Sequence, residues 1–231
     1  MFIVNSMTKD VIVVEPESDI LEAKEKMVRH RIHSLPVVEA DNTLVGIVTD
    51  RDIRSALPSG LLSDQDSRRE IEGLARIRIK NIMTKNPVTI SPTQTLEDAL
   101  LMMQKIRVGA FPVVDKEGKL KGIITKQDLM RAFINVLGIE EPGTLLCILA
   151  EDKLGTMKKI VDAISEERIP FGSILVARYW EEGKRAVFPY LLTHNVANVK
   201  RKLQKLGFTL LNPMEWYLDQ IPTRREETTG S

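Results

Sequence analysis

A seven-residue stretch that occurs twice constrains this chain more than any other feature. Residues 46–52 read GIVTDRD, and residues 122–128, found 76 positions later, read GIITKQD. In each copy an apolar run short enough for a buried strand leads to a Thr and, three residues on, an Asp. The pattern predicts a strand, a turn and the start of a helix, where the Thr hydroxyl and the Asp carboxylate cap free backbone amides.

Two roles are open for this Thr-x-x-Asp pattern. One is ligand binding, because a hydroxyl and free amides at a helix N-terminus suit a phosphate. A carboxylate one turn later can also accept hydrogen bonds from a pair of ribose hydroxyls. The other role is plain helix capping, in which the helix dipole favours the Asp. Capping is the commoner role of a single copy, whereas recurrence within a longer repeat favours a ligand.

The repeat extends far beyond these two stretches. The 76-residue offset holds without a gap over residues 2–55 and 78–131. Within each unit the apolar spacing predicts a strand, a helix, a hairpin and a closing helix. The first strands are predicted at residues 11–14 and 88–90, and a further short strand at residues 2–4. A duplicated unit indicates one supersecondary module used twice with pseudo-two-fold symmetry.

Four pieces of each unit resemble the CBS domain (the cystathionine-β-synthase-type module). They are Met-Thr, P-x-x-x-h-x-x-A, h-P-V-V and G-h-h-T-x-x-D, where h is apolar, and they occur in this order twice. Two such units in tandem resemble a Bateman module, a regulatory sensor that binds adenosine-containing ligands between its units. The resemblance implies two βαββα units at residues 1–57 and 77–138, joined by a connection at residues 58–76.

The same resemblance implies which residues hold a nucleotide. They belong to the first strand, the h-P-V-V stretch and the Thr-x-x-Asp pair of each unit. Apolar side chains would sandwich the base, while the Asp binds the ribose and the Thr binds phosphate. The residues at the matching positions are Ile12, Val13, His33, Ser34, Leu35, Pro36, Thr49 and Asp52 in the first unit, and Val88, Thr89, Ala110, Phe111, Pro112, Thr125 and Asp128 in the second.

Charge distinguishes the two expected nucleotide sites. Asp50 follows Thr49, whereas Lys126 follows Thr125. A cation beside the phosphate end favours polyphosphate binding, so Lys126 joins the expected site. We therefore expect the Asp128 site to hold the nucleotide more tightly than the Asp52 site.

The segment after the repeats has a different pattern. The order of strands and helices predicted over residues 139–220 is βαββαβ, the ferredoxin-like arrangement. The segment resembles an ACT domain, the small amino-acid-sensing fold, and residues 152–157 resemble that family's ligand loop, although Leu154 stands where the family has Pro. Asp152 and Gly155 are therefore candidate ligand residues; Gly155 could equally serve as a tight loop only. Residues 221–231 are expected to be disordered.

A CBS pair followed by an ACT-like domain resembles AcuB-type proteins, which are linked to acetoin utilisation. The resemblance implies a regulator of mixed α+β and α/β class that forms a homodimer through its CBS pair and acts on a protein target. The signal would be an adenine nucleotide such as AMP, ADP or ATP, bound as a regulatory ligand and not as a cofactor. The alternatives are a sensor of S-adenosylmethionine or NAD, or a dimerisation module that binds no ligand.

Composition narrows the remaining function classes. The net charge of +1 over 231 residues and the lack of a helix-turn-helix segment disfavour a nucleic-acid-binding regulator. One cysteine, Cys147, excludes an intramolecular disulfide framework and fits a reducing compartment. Without a signal-peptide pattern or an apolar run of ~20 residues, a cytoplasmic location away from membranes is expected. The sequence carries no motif of a catalytic nucleophile, P-loop or metalloprotease, and His30 and His33 lack partners at metal-ligand spacing, so neither an enzyme nor a metal site is expected.

Overall fold

The computed structural model describes residues 1–56 and 76–211, apart from the side chains of residues 178–181. The predicted inter-repeat connection lies outside the described residues except for its last position, and the predicted disordered tail lies wholly outside them. The chain divides into two compact units, Met1–Ala132 and Phe133–Ser231. Each unit is described by itself.

The first repeat folds as a helix, a hairpin and a second helix. These elements are α1 (Ile20–His30), β1 (Ser34–Val38), β2 (Leu44–Thr49) and α2 (Asp50–Ala56). Asp19 caps α1, because its carboxylate accepts a hydrogen bond from the backbone N–H of Glu22 at 2.9 Å. The helix ends where Arg31 adopts the left-handed conformation.

The second repeat copies this arrangement. A short strand, β3 (Thr84–Lys85), comes before α3 (Leu96–Ile106), β4 (Ala110–Val114), β5 (Leu120–Thr125) and α4 (Lys126–Leu137). Leu35 pairs with Val48 in the first hairpin, and the equivalent Phe111 pairs with Ile124 in the second. Both hairpins carry a register shift at the end of the Pro-Val-Val stretch. The hairpins and helices predicted from the repeat are therefore confirmed.

The predicted first strands are largely wrong. Residues 3–5 form a 3₁₀ helix instead of a strand, and the segments around Val14 and Ile90 each make only one parallel bridge, to Val37 and Val113. Val14 donates to the carbonyl of Pro36 and accepts from the amide of Val38. The next parallel rung would need an N–H from Pro36, which proline lacks, so the strand does not propagate. Pro112 has the same effect in the second repeat.

The repeats exchange their N-terminal segments. Ile3 is fully buried in the core of the second repeat, whereas Ile79 is fully buried in the core of the first. In the same way β3 pairs with β2 of the first repeat, and Thr8 pairs with Ile123 of the second. The core of each repeat is therefore completed by residues from the other.

The tips of the two hairpins also pair with each other. The amide of Leu44 donates to the carbonyl of Gly118 at 3.1 Å. The ammonium of Lys119 contacts the carboxylate of Asp41 at 2.5 Å and the hydroxyl of Thr43 at 2.7 Å. A backbone hydrogen bond and an ion pair thus both connect the two hairpin tips.

After the end of α4, the described part of the second unit contains an antiparallel sheet and two helices. In chain order they are β6 (Thr144–Leu145), β7 (Ile148–Glu151), α5 (Thr156–Ser165), β8 (Phe171–Glu181), β9 (Lys184–Leu191), α6 (Ala197–Lys205) and β10 (Thr209–Leu210). The strands lie in the order β10-β7-β9-β8. β6 continues β7 in one register against β9, so the two form a single interrupted strand.

The core of this unit lies between the sheet and the helices. Ile148 of β7 and Val187 of β9 pack with Ile160 and Ile164 of α5 and with Leu203 of α6. The strand and helix order predicted for this segment is confirmed. Within the described part of the chain, no helix has the length and apolar character needed to cross a membrane.

Candidate functional site

Both Thr-x-x-Asp pairs form capping boxes at the starts of helices. At the start of α4, the backbone N–H and the hydroxyl of Thr125 donate to Asp128 Oδ2 at 2.9 and 2.6 Å. The Asp128 amide in turn donates to the Thr125 hydroxyl at 3.2 Å. Thr49 and Asp52 make the same three bonds at 2.8, 2.7 and 3.4 Å. The predicted capping is therefore confirmed in both copies.

Asp128 differs from Asp52 in its surroundings. Its side chain is only 7% exposed, and it is the one buried charged side chain among the described residues. Because Oδ2 serves the cap, Oδ1 is left to face Arg131, whose Nη1 lies 3.7 Å away. Arg131 is itself largely exposed, so a ligand hydroxyl could share or replace this long contact.

A cavity of about 440 Å³ opens beside Asp128. Its size falls within the range of small-molecule sites. Residues of both repeats line it. The predicted nucleotide residues that it brings together are Ile12, His33 and Ser34 from the first repeat, and Ala110, Thr125, Lys126 and Asp128 from the second.

Backbone hydrogen bonds explain how residues from distant parts of the chain meet here. The carbonyl of Gly109 accepts from the amide of Lys126 at 3.1 Å, which ties the start of β4 to the start of α4. Thr8 and Ile123 exchange two backbone hydrogen bonds of 2.9 Å. These bonds hold the N-terminal segment, which leads to Ile12, along β5 of the second repeat.

The other predicted nucleotide residues lie elsewhere. Leu35 and Phe111 are fully buried in the two repeat cores, and the carbonyl of Val13 accepts a hydrogen bond from Lys26 Nζ at 3.0 Å. Several more do not line the Asp128 cavity. They are Pro36 and Pro112, which are buried, together with Thr49, Asp52, Val88 and Thr89.

The cavity is also lined by charged and polar residues that the sequence interpretation missed. Arg31, Arg131, Asp10 and Gln127 all line it. Within the described parts of the chain, the side chains of Arg31 and Lys126 have no ion-pair partner, so the cavity presents cationic groups to a ligand. Arg31 recurs as Arg107 at the 76-residue offset, and this recurrence was the signal in the sequence that pointed to it.

The candidate ligand loop of the second unit is built differently. Asp152 Oδ1 lies 2.5 Å from the guanidinium of Arg185. Gly155 has a φ of 86° and comes directly before α5, where no side chain caps the helix. Open space surrounds the position of its missing Cβ. The loop is thus accessible, and Asp152 is already paired.

A second cavity, of about 300 Å³, lies elsewhere in this unit. Leu146, Cys147, Lys200 and Gln204 are among its lining residues, and neither Asp152 nor Gly155 takes part. Burial raises the pKa of the Cys147 thiol, so this thiol is less prone to ionise than an exposed one. Across residues 1–56 and 76–211, no three His, Cys, Asp or Glu side chains lie in an arrangement that could hold a metal ion.

Comparison with known proteins matches the two repeats to the CBS domain family, over residues 3–59 and 79–135. A CBS domain-containing protein of Dictyostelium discoideum is 37% identical over 131 residues, which are 57% of this chain and 90% of the relative. Other relatives include enzymes of which the chain spans less than a quarter.

Three solved structures are similar to part of the chain. The CBS-pair protein CBSX2 of Arabidopsis thaliana has a TM-score of 0.50 and 29% identity, covering 58% of this chain and 94% of that chain. CBSX2 has also been crystallised in complex with AMP, a structure with a TM-score of 0.48, 29% identity and coverage of 58% of this chain and 96% of that chain. A putative acetoin utilization protein, AcuB, from Vibrio cholerae has a TM-score of 0.50 and 27% identity, covering 62% of this chain and 98% of that chain.

Proposed function

Since the chain belongs to the CBS-domain proteins and carries two CBS domains in tandem, we propose that it is a regulatory sensor of an adenine nucleotide. AMP, ADP or ATP binds in the cavity beside Asp128. The observation that carries this proposal is the buried Asp128 carboxylate, which faces a cavity of about 440 Å³ lined by apolar and cationic groups. CBSX2, which is 31% identical to this chain over 148 residues, has been crystallised in complex with AMP.

The lining suggests a role for each part of the nucleotide. Ile12, Ala110 and Ile123 supply apolar surface for the base. The ribose hydroxyls donate to Asp128 Oδ1, where they share or replace its 3.7 Å contact with Arg131, because a carboxylate oxygen accepts such bonds well. Lys126 and the N-terminal turn of α4 receive the phosphate.

Occupancy is transmitted to a second module in this proposal. The element order βαββαβ and the strand order β10-β7-β9-β8 support a ferredoxin-like, ACT-like domain for the second unit. Its loop at Asp152 and Gly155 is the candidate site for a second small ligand. The likeness of the CBS pair to AcuB supports acetoin utilisation as the process under control.

A homodimer through the CBS pair is part of the same proposal. Large apolar side chains on three helices are exposed, and they are the candidate contact residues of this interface. Val28 on α1 is 71% exposed, Leu101 on α3 is 64% and Met130 on α4 is 65%. The same exposed side chains favour the main alternative, a dimerisation module without a ligand, because capping alone accounts for the conformation of both Thr-x-x-Asp pairs.

Thermal unfolding of the full chain with AMP, ADP, ATP, S-adenosylmethionine and NAD tests the proposal. A ligand present at about 100 times its dissociation constant stabilises the protein by about 2.7 kcal/mol, which raises the melting temperature measurably. We expect a rise with an adenine nucleotide that is lost in Asp128→Ala and kept in Asp52→Ala. A higher melting temperature with S-adenosylmethionine alone would identify that compound as the ligand in place of an adenine nucleotide. An unchanged melting temperature with all five compounds would favour the dimerisation module.

A further inference from the structure

Arg31 combines an unfavourable backbone conformation with a position in the cavity. It follows α1 with φ 53° and ψ 45°, the left-handed region, and its amide donates to the carbonyls of Met27 and Val28. Helices that end in this way usually place Gly there, because a side chain makes the left-handed conformation costly. Residues held in such conformations concentrate at functional sites.

The side chain of Arg31 brings a positive charge to the site of the other repeat. Arg31 belongs to the first repeat, yet it lines the cavity that holds Thr125 and Asp128. It is exposed, and in the described chain its guanidinium has no ion-pair partner. A guanidinium binds phosphate oxygens in a bidentate manner that an ammonium does not reproduce.

We propose that Arg31 binds the phosphate chain of the ligand and makes the cavity prefer nucleotides with more phosphates. This inference rests on the proposed function. A phosphate chain bound by Arg31 and by the N-terminal turn of α4 contacts both repeats. A ligand with more phosphates therefore binds more tightly and links the two repeats more strongly. A plain helix-ending role for position 31 would be served better by Gly.

The equivalent Arg107 provides a matched control. It also ends a helix in the left-handed conformation, with φ 57°, but it does not line the Asp128 cavity. Two cations of that cavity, Lys126 and Arg131, are replaced at the 76-residue offset by Asp50 and Ser55. Arg107→Gly therefore also places Gly at a left-handed helix end, but the charge that it removes lies outside the Asp128 cavity.

The experiment is calorimetric titration of the full chain carrying Asp52→Ala, with ATP, ADP, AMP and adenosine. Arg31→Gly is expected to weaken ATP binding by about tenfold or more, AMP less and adenosine not at all, since each phosphate adds a charge-assisted contact. Arg31→Asn, which tolerates the left-handed conformation and carries no charge, should do the same. Arg107→Gly should leave all four affinities unchanged.

Unliganded stability separates the ligand role from a structural one. Arg31→Gly relieves the left-handed backbone, so its melting temperature without ligand should be unchanged or raised. Three results would each overturn the inference. Arg31→Gly could lose as much affinity for adenosine as for ATP, Arg107→Gly could lose as much affinity for ATP as Arg31→Gly does, or Arg31→Gly could bind ATP with the parental affinity. If Asp128→Ala still weakens ATP binding in that last case, the proposed function stands and only the role of Arg31 falls. If no compound binds the parental chain, both fall.

Discussion

The regions around Asp128 and Asp52 have nearly the same backbone and different surroundings. Both carboxylates cap a helix through the same three hydrogen bonds. Lys126 follows the Thr of one pair, whereas Asp50 follows the other and forms an ion pair with Arg54 at 3.0 Å. His33 lines the Asp128 cavity, and its equivalent at the 76-residue offset is Gly109. A duplicated fold thus keeps its hydrogen-bonded frame while its side chains diverge in charge.

The largest expected effect separates the capping role of the two carboxylates from the ligand role. Asp128→Ala and Asp52→Ala each remove a cap, so each should lower the free energy of unfolding by about 1 kcal/mol. Only Asp128→Ala should also weaken nucleotide binding, by about 10- to 100-fold, because it removes hydrogen bonds to a charged group. Urea unfolding measures the stability effect, and calorimetric titration measures the binding effect. If Asp128→Ala and Asp52→Ala lost the same affinity, the two regions would not differ in ligand binding.

A second prediction concerns the two glycines of the repeated stretch. A Cβ at Gly122 would lie 2.6 Å from Met7 Sδ and 2.8 Å from the carbonyl oxygen of Thr8, whereas a Cβ at Gly46 would lie 2.5 Å from Met83 Sδ and 3.1 Å from its nearest backbone oxygen. A methionine side chain can shift, but backbone cannot easily do so. Gly122→Ala should therefore cost about 1–3 kcal/mol of unfolding free energy and Gly46→Ala less.

Urea unfolding of the two Ala variants checks this order. Because Thr8 lines the Asp128 cavity, Gly122→Ala should also weaken nucleotide binding. Gly118→Ala is not a suitable control, since its φ of 78° adds backbone strain of its own. A larger cost at Gly46 would show that the methionine contact dominates.

Exchange of the charges beside the two Thr residues gives a smaller effect. Lys126→Asp should weaken ATP binding by about five- to tenfold, because exposed charges interact with energies near 1 kcal/mol. The loss should shrink in high salt, and binding of adenosine should not change. Asp50→Lys, the reverse exchange, leaves the Asp128 cavity untouched, so a loss of the same size in that variant would contradict a local charge effect.

The smallest effect concerns the paired hairpin tips. The hydrogen bond from the Lys119 ammonium, with further bonds from Thr43, holds the pKa of the exposed Asp41 carboxyl far below its ordinary value. A lowered pKa in the folded state means that the stabilisation is complete above the ordinary Asp pKa of about 4 and is lost as the pH falls below it. Melting temperatures of the parental chain and of Lys119→Ala should thus differ above about pH 5 and converge in acid. A constant difference across this range would show that Lys119 acts through packing instead of charge.

Much of the fold could be predicted because its signals are local. A capping box needs only residues three positions apart, and the short apolar run Leu35-Pro36-Val37-Val38 is enough to indicate a buried strand. The prediction of strands at residues 11–14 and 88–90 was wrong for a reason that is visible in the sequence. Pro36 and Pro112 lack the N–H groups that a neighbouring parallel strand would need.

By itself the sequence determined the duplication, the two helix caps, the hairpins and the element order of the second unit, because each depends on short-range spacing or on direct comparison of the repeats. Only the tertiary structure decided which residues share a cavity. Ile12 and His33 meet Thr125 and Asp128 of the other repeat, and Ile3 and Ile79 exchange cores. The physical reason is that burial of apolar surface does not depend on separation along the chain, so no local pattern specifies which repeat completes the site of the other.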